Sequence, residues 1–233
     1  MHQAASHMKK RTIALIAILA ALLTACTGKT DYNTTLVQAD SLMASRPDSA
    51  LHMLQGISIK NLRTKADRAY HALLLTQARD KNYIRQTDDS LIRTAVQYYD
   101  SMKDNKMQAQ AYYLWGSVCR DKNKQTEAIE KYIRATDFAQ KAADKVLLGR
   151  IYANAGYIYY LQEFYAKADS IYRQAEQISI QLKDTSLQIS SLTMQGSMQL
   201  YQKDYQQAEK QLLQAEYLLK DVRQNAIKAN VFS

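Results

Sequence analysis

The groups that could do chemistry in this 233-residue chain are two cysteines, four histidines and 22 carboxylates. Cys26 and Cys119 form no C-x-x-C, and no G-x-x-x-x-G-K-[ST], G-x-G-x-x-G or H-E-x-x-H occurs. His52 and His71 have no second ligand at zinc spacing. Asp104, Asp144 and Asp184 recur every forty residues and could be taken for a metal or catalytic series. One carboxylate per repeat at a helix start fits N-capping better, because the side chain accepts from free backbone N–H groups and contributes about 1 kcal/mol. Thr185 with Gln188 offers a capping box at the third of these sites. No pair of carboxylates has environments distinct enough to assign an acid and a base. The residues predict a non-enzymatic chain with no cofactor and no metal.

The recurring interval belongs to a larger pattern. Gly116 sits in Tyr112-x-x-Trp115-Gly116-x-x-Cys119, followed by Ala128, Tyr132 and Ala135. Gly156 sits in Tyr152-x-x-Ala155-Gly156-x-x-Tyr159, followed by Ala168, Tyr172 and Ala175. Gly196 repeats the arrangement with Leu192, then Ala208, Leu212 and Ala215. Glycine inside a helix costs roughly 1 kcal/mol against alanine, so three glycines at one register position predict a close helix crossing. The first alanine serves the same crossing, and the second admits the helix of the next repeat.

This pattern resembles the tetratricopeptide repeat (TPR), a helix–turn–helix unit. The resemblance covers nearly everything after the leader and implies an all-α, right-handed α-solenoid. The period is about 40 residues, longer than the usual TPR unit and also compatible with HEAT-type pairs. Repeats are expected at about 34–60, 65–103, 105–143, 145–183 and 185–222, with a partial repeat from 225. Pro47 suits a helix start and Gly56 a helix stop, while Thr76 takes the glycine position of a degenerate second repeat. Ala229 and Phe232 match the opening of a further repeat that Ser233 cuts short, so the chain is expected to be a fragment of a longer protein.

TPR arrays bind partners in a groove lined by the first helix of each pair. The positions that correspond here are Tyr113, Ser117, Arg120, Arg150, Asn154, Tyr157, Tyr160, Thr193, Ser197 and Tyr201. Tyrosine and arginine are enriched at binding hot spots. Tyr112, Tyr152, Tyr159 and Tyr172 are expected in the inter-helix core, as is Cys119. The clamp by which some TPR domains hold chaperone tails needs lysine and asparagine where Tyr113 and Ser117 stand; only Asn154 agrees.

Mean hydropathy is -0.42 and 23% of residues are charged, which excludes a polytopic membrane protein. The formal charge of +9 becomes +6 without Lys9, Lys10 and Arg11, and is spread along helices. No nucleic-acid footprint is implied for this segment. Residues 1–25 comprise an extension to Met8 and an export leader, with Lys9-Lys10-Arg11 before an apolar run from Thr12 to Leu23. That run is shorter than the roughly twenty residues of a bilayer span. It ends in Leu23-Thr24-Ala25-Cys26, which resembles the lipobox of bacterial lipoproteins. The resemblance implies cleavage after Ala25 and diacylglycerol on Cys26, with residues 26–33 as a lipidated tether. By the same resemblance, Thr27 in place of an acidic residue after the cysteine implies the outer membrane, facing the periplasm.

The expected function is a lipid-anchored periplasmic scaffold for a protein or peptide partner, resembling bacterial TPR lipoproteins. One alternative is the sensory N-terminal half of a membrane-associated transcriptional regulator. Another is a glycan-binding outer-membrane lipoprotein, disfavoured because Trp115, the one tryptophan, sits at a packing position.

Overall fold

The structure, a computed structural model, describes residues 32–231, with side chains through Arg223. The leader, Cys26 and most of the tether lie outside the described residues, as does Phe232. Among the described residues there are ten α-helices and no strand. They pair in order as α1 (Thr34–Leu42) with α2 (Pro47–Gln55), α3 (Lys65–Lys81) with α4 (Ser90–Met102), and α5 (Asn105–Asp121) with α6 (Gln125–Lys141). Next come α7 (Lys145–Leu161) with α8 (Tyr165–Leu182), and α9 (Thr185–Tyr201) with α10 (Tyr205–Val231). Each helix packs on the next, and the first helices also touch in succession, α1 to α3, α5, α7 and α9. They form a continuous inner row behind which the second helices stand.

Glycine sets the closeness of each of the last three hairpins. A Cβ on Gly116 would lie 2.5 Å from Cε1 of Tyr132, and one on Gly156 would lie 2.8 Å from Cε2 of Tyr172. At Gly196 the obstructing atom is Leu212 Cγ, at 2.7 Å. The notch is therefore filled by the large side chain at the middle of the partner helix, while Ala128, Ala168 and Ala208 are wholly buried beside it. Ala135, Ala175 and Ala215 are buried as well. Gly149 makes a fourth notch against Leu187 and Ile178, between α7, α8 and α9.

Gly56 closes α2 with ordinary backbone at φ −74°, and the later turns are made without glycine. Positive φ occurs at Tyr83, Lys103, Asn123, Ala143, Glu163, Lys183 and Lys203, every twenty residues. At Ala143 the helix α6 closes with Ala143 N–H donating to Gln140 O at 3.0 Å and Asp144 N–H to Ala139 O at 2.9 Å. The same bond pair, characteristic of a left-handed helix stop, recurs at 123, 163, 183 and 203. Asp144 then opens the next helix, its Oδ1 accepting from Leu147 N–H at 2.9 Å. Asp104 and Asp184 cap α5 and α9 likewise. Because Asp184 is the cap, Thr185 is the first helical residue and the anticipated Thr185–Gln188 box does not form.

The C-terminus departs from the anticipated plan. Helix α10 runs unbroken to Val231, past the boundary placed at 222 and through the start placed at 225. The repeat interval puts Gln224 where 104, 144 and 184 have aspartate, so no capping carboxylate starts a new helix there. Helix α4 differs too: it begins late, after a loop at 82–89 in which the buried Gln86 donates to Thr76 O. Thr76, at the glycine position, turns its hydroxyl onto Ala72 O of its own helix.

Three substitutions at these positions have expected effects on stability. Gly116→Ala should lose about 1–3 kcal/mol by overpacking Tyr132, despite alanine's better helix propensity. Gly56→Ala should be near neutral, since its Cβ would meet only carbonyl oxygens at 3.5 Å and beyond. Ala143→Gly should gain about 0.5 kcal/mol: left-handed alanine costs roughly 1–2 kcal/mol, and glycine's extra unfolded-state freedom returns about half of that. Urea midpoints of the three variants check all three outcomes, and a destabilised Ala143→Gly would contradict the last.

Candidate functional site

The inner row places side chains of α3, α5, α7 and α9 on one surface. Its centre is Arg120, in the last turn of α5. The guanidinium donates to Asn154 Oδ1 on α7 at 2.6 Å, to Asp80 Oδ1 on α3 at 3.2 Å and to Asp121 Oδ1 at 3.0 Å. Asn154 Nδ2 donates in turn to the Tyr113 hydroxyl at 3.4 Å and to Arg150 O at 3.0 Å. One arginine thus ties three first helices together. Burial opposes its charge, but Tyr132, Asp121 and Asp80 hold its pKa above the ordinary arginine value. Burial likewise pushes the Asp80 carboxyl up, with Arg120 pulling the other way, and pushes the Tyr113 phenol up to about 12. Bonds to charged partners in such partly buried places are worth more than surface pairs.

Beside this network lies a cavity of about 390 Å³, lined by Gln77, Asp80, Lys81, Gln110, Tyr113 and Arg150 among others. Burial, then the nearby Arg150 guanidinium, lowers the pKa of Lys81. Gln110 reaches across to Gln77 at 2.8 Å. Further along the row an aromatic group spans two repeats. Tyr157 stacks on Tyr160 with centroids 6.4 Å apart, and Tyr160 meets Tyr201 at 6.0 Å. Tyr165, from the start of α8, lies parallel to Tyr201 at 4.8 Å. The Tyr201 hydroxyl raises the pKa of Tyr160 through their mutual hydrogen bond. Tyr157 is 41% exposed and Tyr201 58%.

Of the anticipated groove residues, Tyr113, Arg120 and Asn154 meet in the network, Arg150 borders the cavity, and Tyr157, Tyr160 and Tyr201 form the aromatic group. Thr193 and Ser197 lie on α9 with hydroxyls bonded to their own helix, at Ile189 O and Thr193 O. Ser117 does not line the groove. It is fully buried, 3.4 Å from the Tyr132 hydroxyl, because it follows Gly116 into the hairpin seam where the tyrosine ring enters. Asp80, Lys81 and Tyr165 were not anticipated. A repeat alignment could have flagged Asp80, which stands forty residues before Arg120, as an opposite charge at a matching position.

Other reactive groups are committed elsewhere. Cys119 is buried and its thiol pKa is pushed up to about 11, which suppresses the nucleophilic thiolate. The ring nitrogen Nε2 of His71 lies 2.9 Å from Leu54 O. Trp115 lies beneath Lys131 Nζ at 4.4 Å, stacks on Tyr112 and donates to Asp89 Oδ2. Tyr112 and Tyr172 are buried, whereas Tyr152 and Tyr159 are half-buried. Among the described residues no group of His, Cys, Asp and Glu could hold a metal ion.

No protein-family model and no curated protein matches the sequence. Solved structures do match the fold. A protein of Podosopora anserina with nearly identical TPR-like repeats aligns with TM-score 0.61 and 14% identity, over 82% of this chain and 95% of that one. BtubC from P. vanneervenii aligns with TM-score 0.62 and 17% identity, over 95% of this chain and 86% of its own. MamA aligns with TM-score 0.52 and 16% identity, over 80% of this chain and 96% of its own. At such identities the likeness speaks for architecture, and the architecture is that of a TPR-like α-solenoid.

Proposed function

We propose that this chain is a non-catalytic scaffold that holds a protein or peptide segment along its inner row. The observation that carries the reading is the open tyrosine group of α7, α8 and α9. Four rings from two repeats are held against one another on the surface, and Tyr157 and Tyr201 remain substantially exposed. Aromatic rings restricted before binding lose little entropy on contact and bury large area, as hot-spot residues do. The Arg120 network beside them keeps the first helices of α3, α5 and α7 in fixed register, which gives an extended segment a preformed bed.

The anchor completes the proposal. The leader and Leu23-Thr24-Ala25-Cys26 support export and lipidation of Cys26, which would tether the solenoid to the outer membrane on its periplasmic side. Each buried methylene contributes about 0.8 kcal/mol, so two or more acyl chains hold a protein stably at a bilayer.

Metabolic labelling with an alkynyl fatty acid should mark the wild-type chain in the membrane fraction and leave Cys26→Ala unlabelled. Equal labelling of the two would remove the anchor from the proposal. For the binding row, a photo-crosslinking residue at Tyr157 or Tyr201 should give discrete adducts in cells, whereas the same residue at exposed Ile133 on α6 should not. Tyr157→Ala with Tyr160→Ala should abolish those adducts at Tyr201 while changing the unfolding free energy by less than about 1 kcal/mol. Adducts of equal yield on both faces would defeat the assignment of the inner row.

A further inference from the structure

The cavity of about 390 Å³ among α3, α5 and α7 is lined by four charged side chains that do not satisfy one another. Asp80 and Lys81 reach it from α3, and Asp144 and Arg150 from the start and second turn of α7. Two cations and two carboxylates make the lining neutral as a whole. Yet no cation of this set comes within ion-pair distance of a carboxylate. Among the described residues the Lys81 ammonium and the Arg150 guanidinium make neither an ion pair nor a hydrogen bond. The carboxylates are engaged elsewhere, through one oxygen each. Asp80 Oδ1 accepts from Arg120 at 3.2 Å, and Asp144 Oδ1 accepts from Leu147 N–H at 2.9 Å. Neither Oδ2 has a donor among the described residues.

The fold keeps these opposite charges apart and brings like ones together. Asp144 and Arg150 are six residues apart, which is about 9 Å along the axis of a helix. Burial lowers the pKa of Lys81 most, and the Arg150 guanidinium does so next, ahead of the opposing pull of Asp80. Two neighbouring cations without a counter-ion gain from an anion placed between them, the more so away from bulk water. The two open carboxylate oxygens gain in the same way from a donor that carries positive charge.

The geometry points to a binding site for a free α-amino acid in this cavity. Its carboxylate lies at Lys81 and Arg150, and its ammonium donates to Asp144 Oδ2 with the Asp80 carboxylate nearby. A carboxylate only accepts and an ammonium only donates, so one zwitterion answers both pairs and leaves the cavity neutral. A lone anion or a lone cation would leave one pair unanswered and bring net charge into a partly buried place. Leu114, Val146 and Leu147 complete the lining and offer an apolar wall to an aliphatic side chain. The volume falls at the lower end of ligand pockets, about 300–1,000 Å³. The interior of a peptide segment carries no such pair of charged ends, so the site does not rest on the inner row's holding a partner.

Isothermal titration of the full chain with L-leucine tests it. N-acetyl-L-leucine, which lacks the ammonium, and L-leucinamide, which lacks the carboxylate, are the controls. L-leucine should bind saturably at one site per chain, and each control at least about tenfold more weakly. Arg150 is exposed, and Arg150→Gln should weaken binding about 10- to 100-fold, as loss of a charged hydrogen bond does. Asp144→Asn keeps a good N-cap and removes the charge, so binding should fall by a similar factor with helicity unchanged. The two variants act at opposite ends of the ligand, and either one that folds suffices. N-acetyl-leucine binding as well as leucine would overturn the site in favour of a plain anion site, and leucinamide doing so in favour of a plain cation site. No saturable heat together with no rise in the urea midpoint, or undiminished binding in the variants that fold, would also overturn it. Crosslinking at Tyr157 and Tyr201 is read separately, so failure of either reading leaves the other standing.

Discussion

The solenoid rests on one steric relation: a helix that gives up its side chain at mid-length so that the partner helix can insert a large one. Tyr132 and Tyr172 are buried rings that could not lie where they do if Gly116 and Gly156 carried even a methyl group. The depth of that insertion fixes how near the two helices of a hairpin come. It therefore fixes where the inner row ends and the outer layer begins. Interiors packed at crystal-like density transmit such a displacement instead of absorbing it, so the position of Arg120 on one side and of the outer seams on the other both descend from this contact.

From α3 onward the chain spends its glycines on crossings and leaves its turns to other residues. Left-handed backbone at Ala143, Lys183 and Glu163 is strained for L residues. The return is continuity: the residue that follows the stop can be an aspartate whose N–H closes one helix while its carboxylate opens the next. Where that aspartate is absent, at Gln224, the helix simply continues. The spacing of twenty residues between left-handed positions makes every first helix of the later repeats start and stop at the same level, which keeps their inward faces aligned.

What could be read in advance was whatever repeats at forty residues with its chemistry intact. The glycines, the two alanine series and the capping aspartates have one local cause each, and the hairpins appear where those residues place them. The groove was legible only to within a residue. Ser117 and Tyr113 are both small steps from the helix face that Gly116 defines, and only the direction of the incoming Tyr132 ring decides which of them goes inward. The arginine network was legible only in part: Arg120, Asn154 and Tyr113 stand at groove positions, but they come from different repeats, and nothing in the repeat itself pairs them with one another or with Asp80. Gly149 escaped notice because it notches the junction between pairs, and it does so once.

The cross-links between first helices are unevenly distributed along the row. From α3 to α7 they are held by a guanidinium with fixed, directional bonds to three neighbours. From α7 to α9 the links are ring contacts, one long hydroxyl pair and the Leu187 side chain seated on Gly149. The upstream span is thus held by directed polar bonds and the downstream span by contact area, with the change at Tyr160.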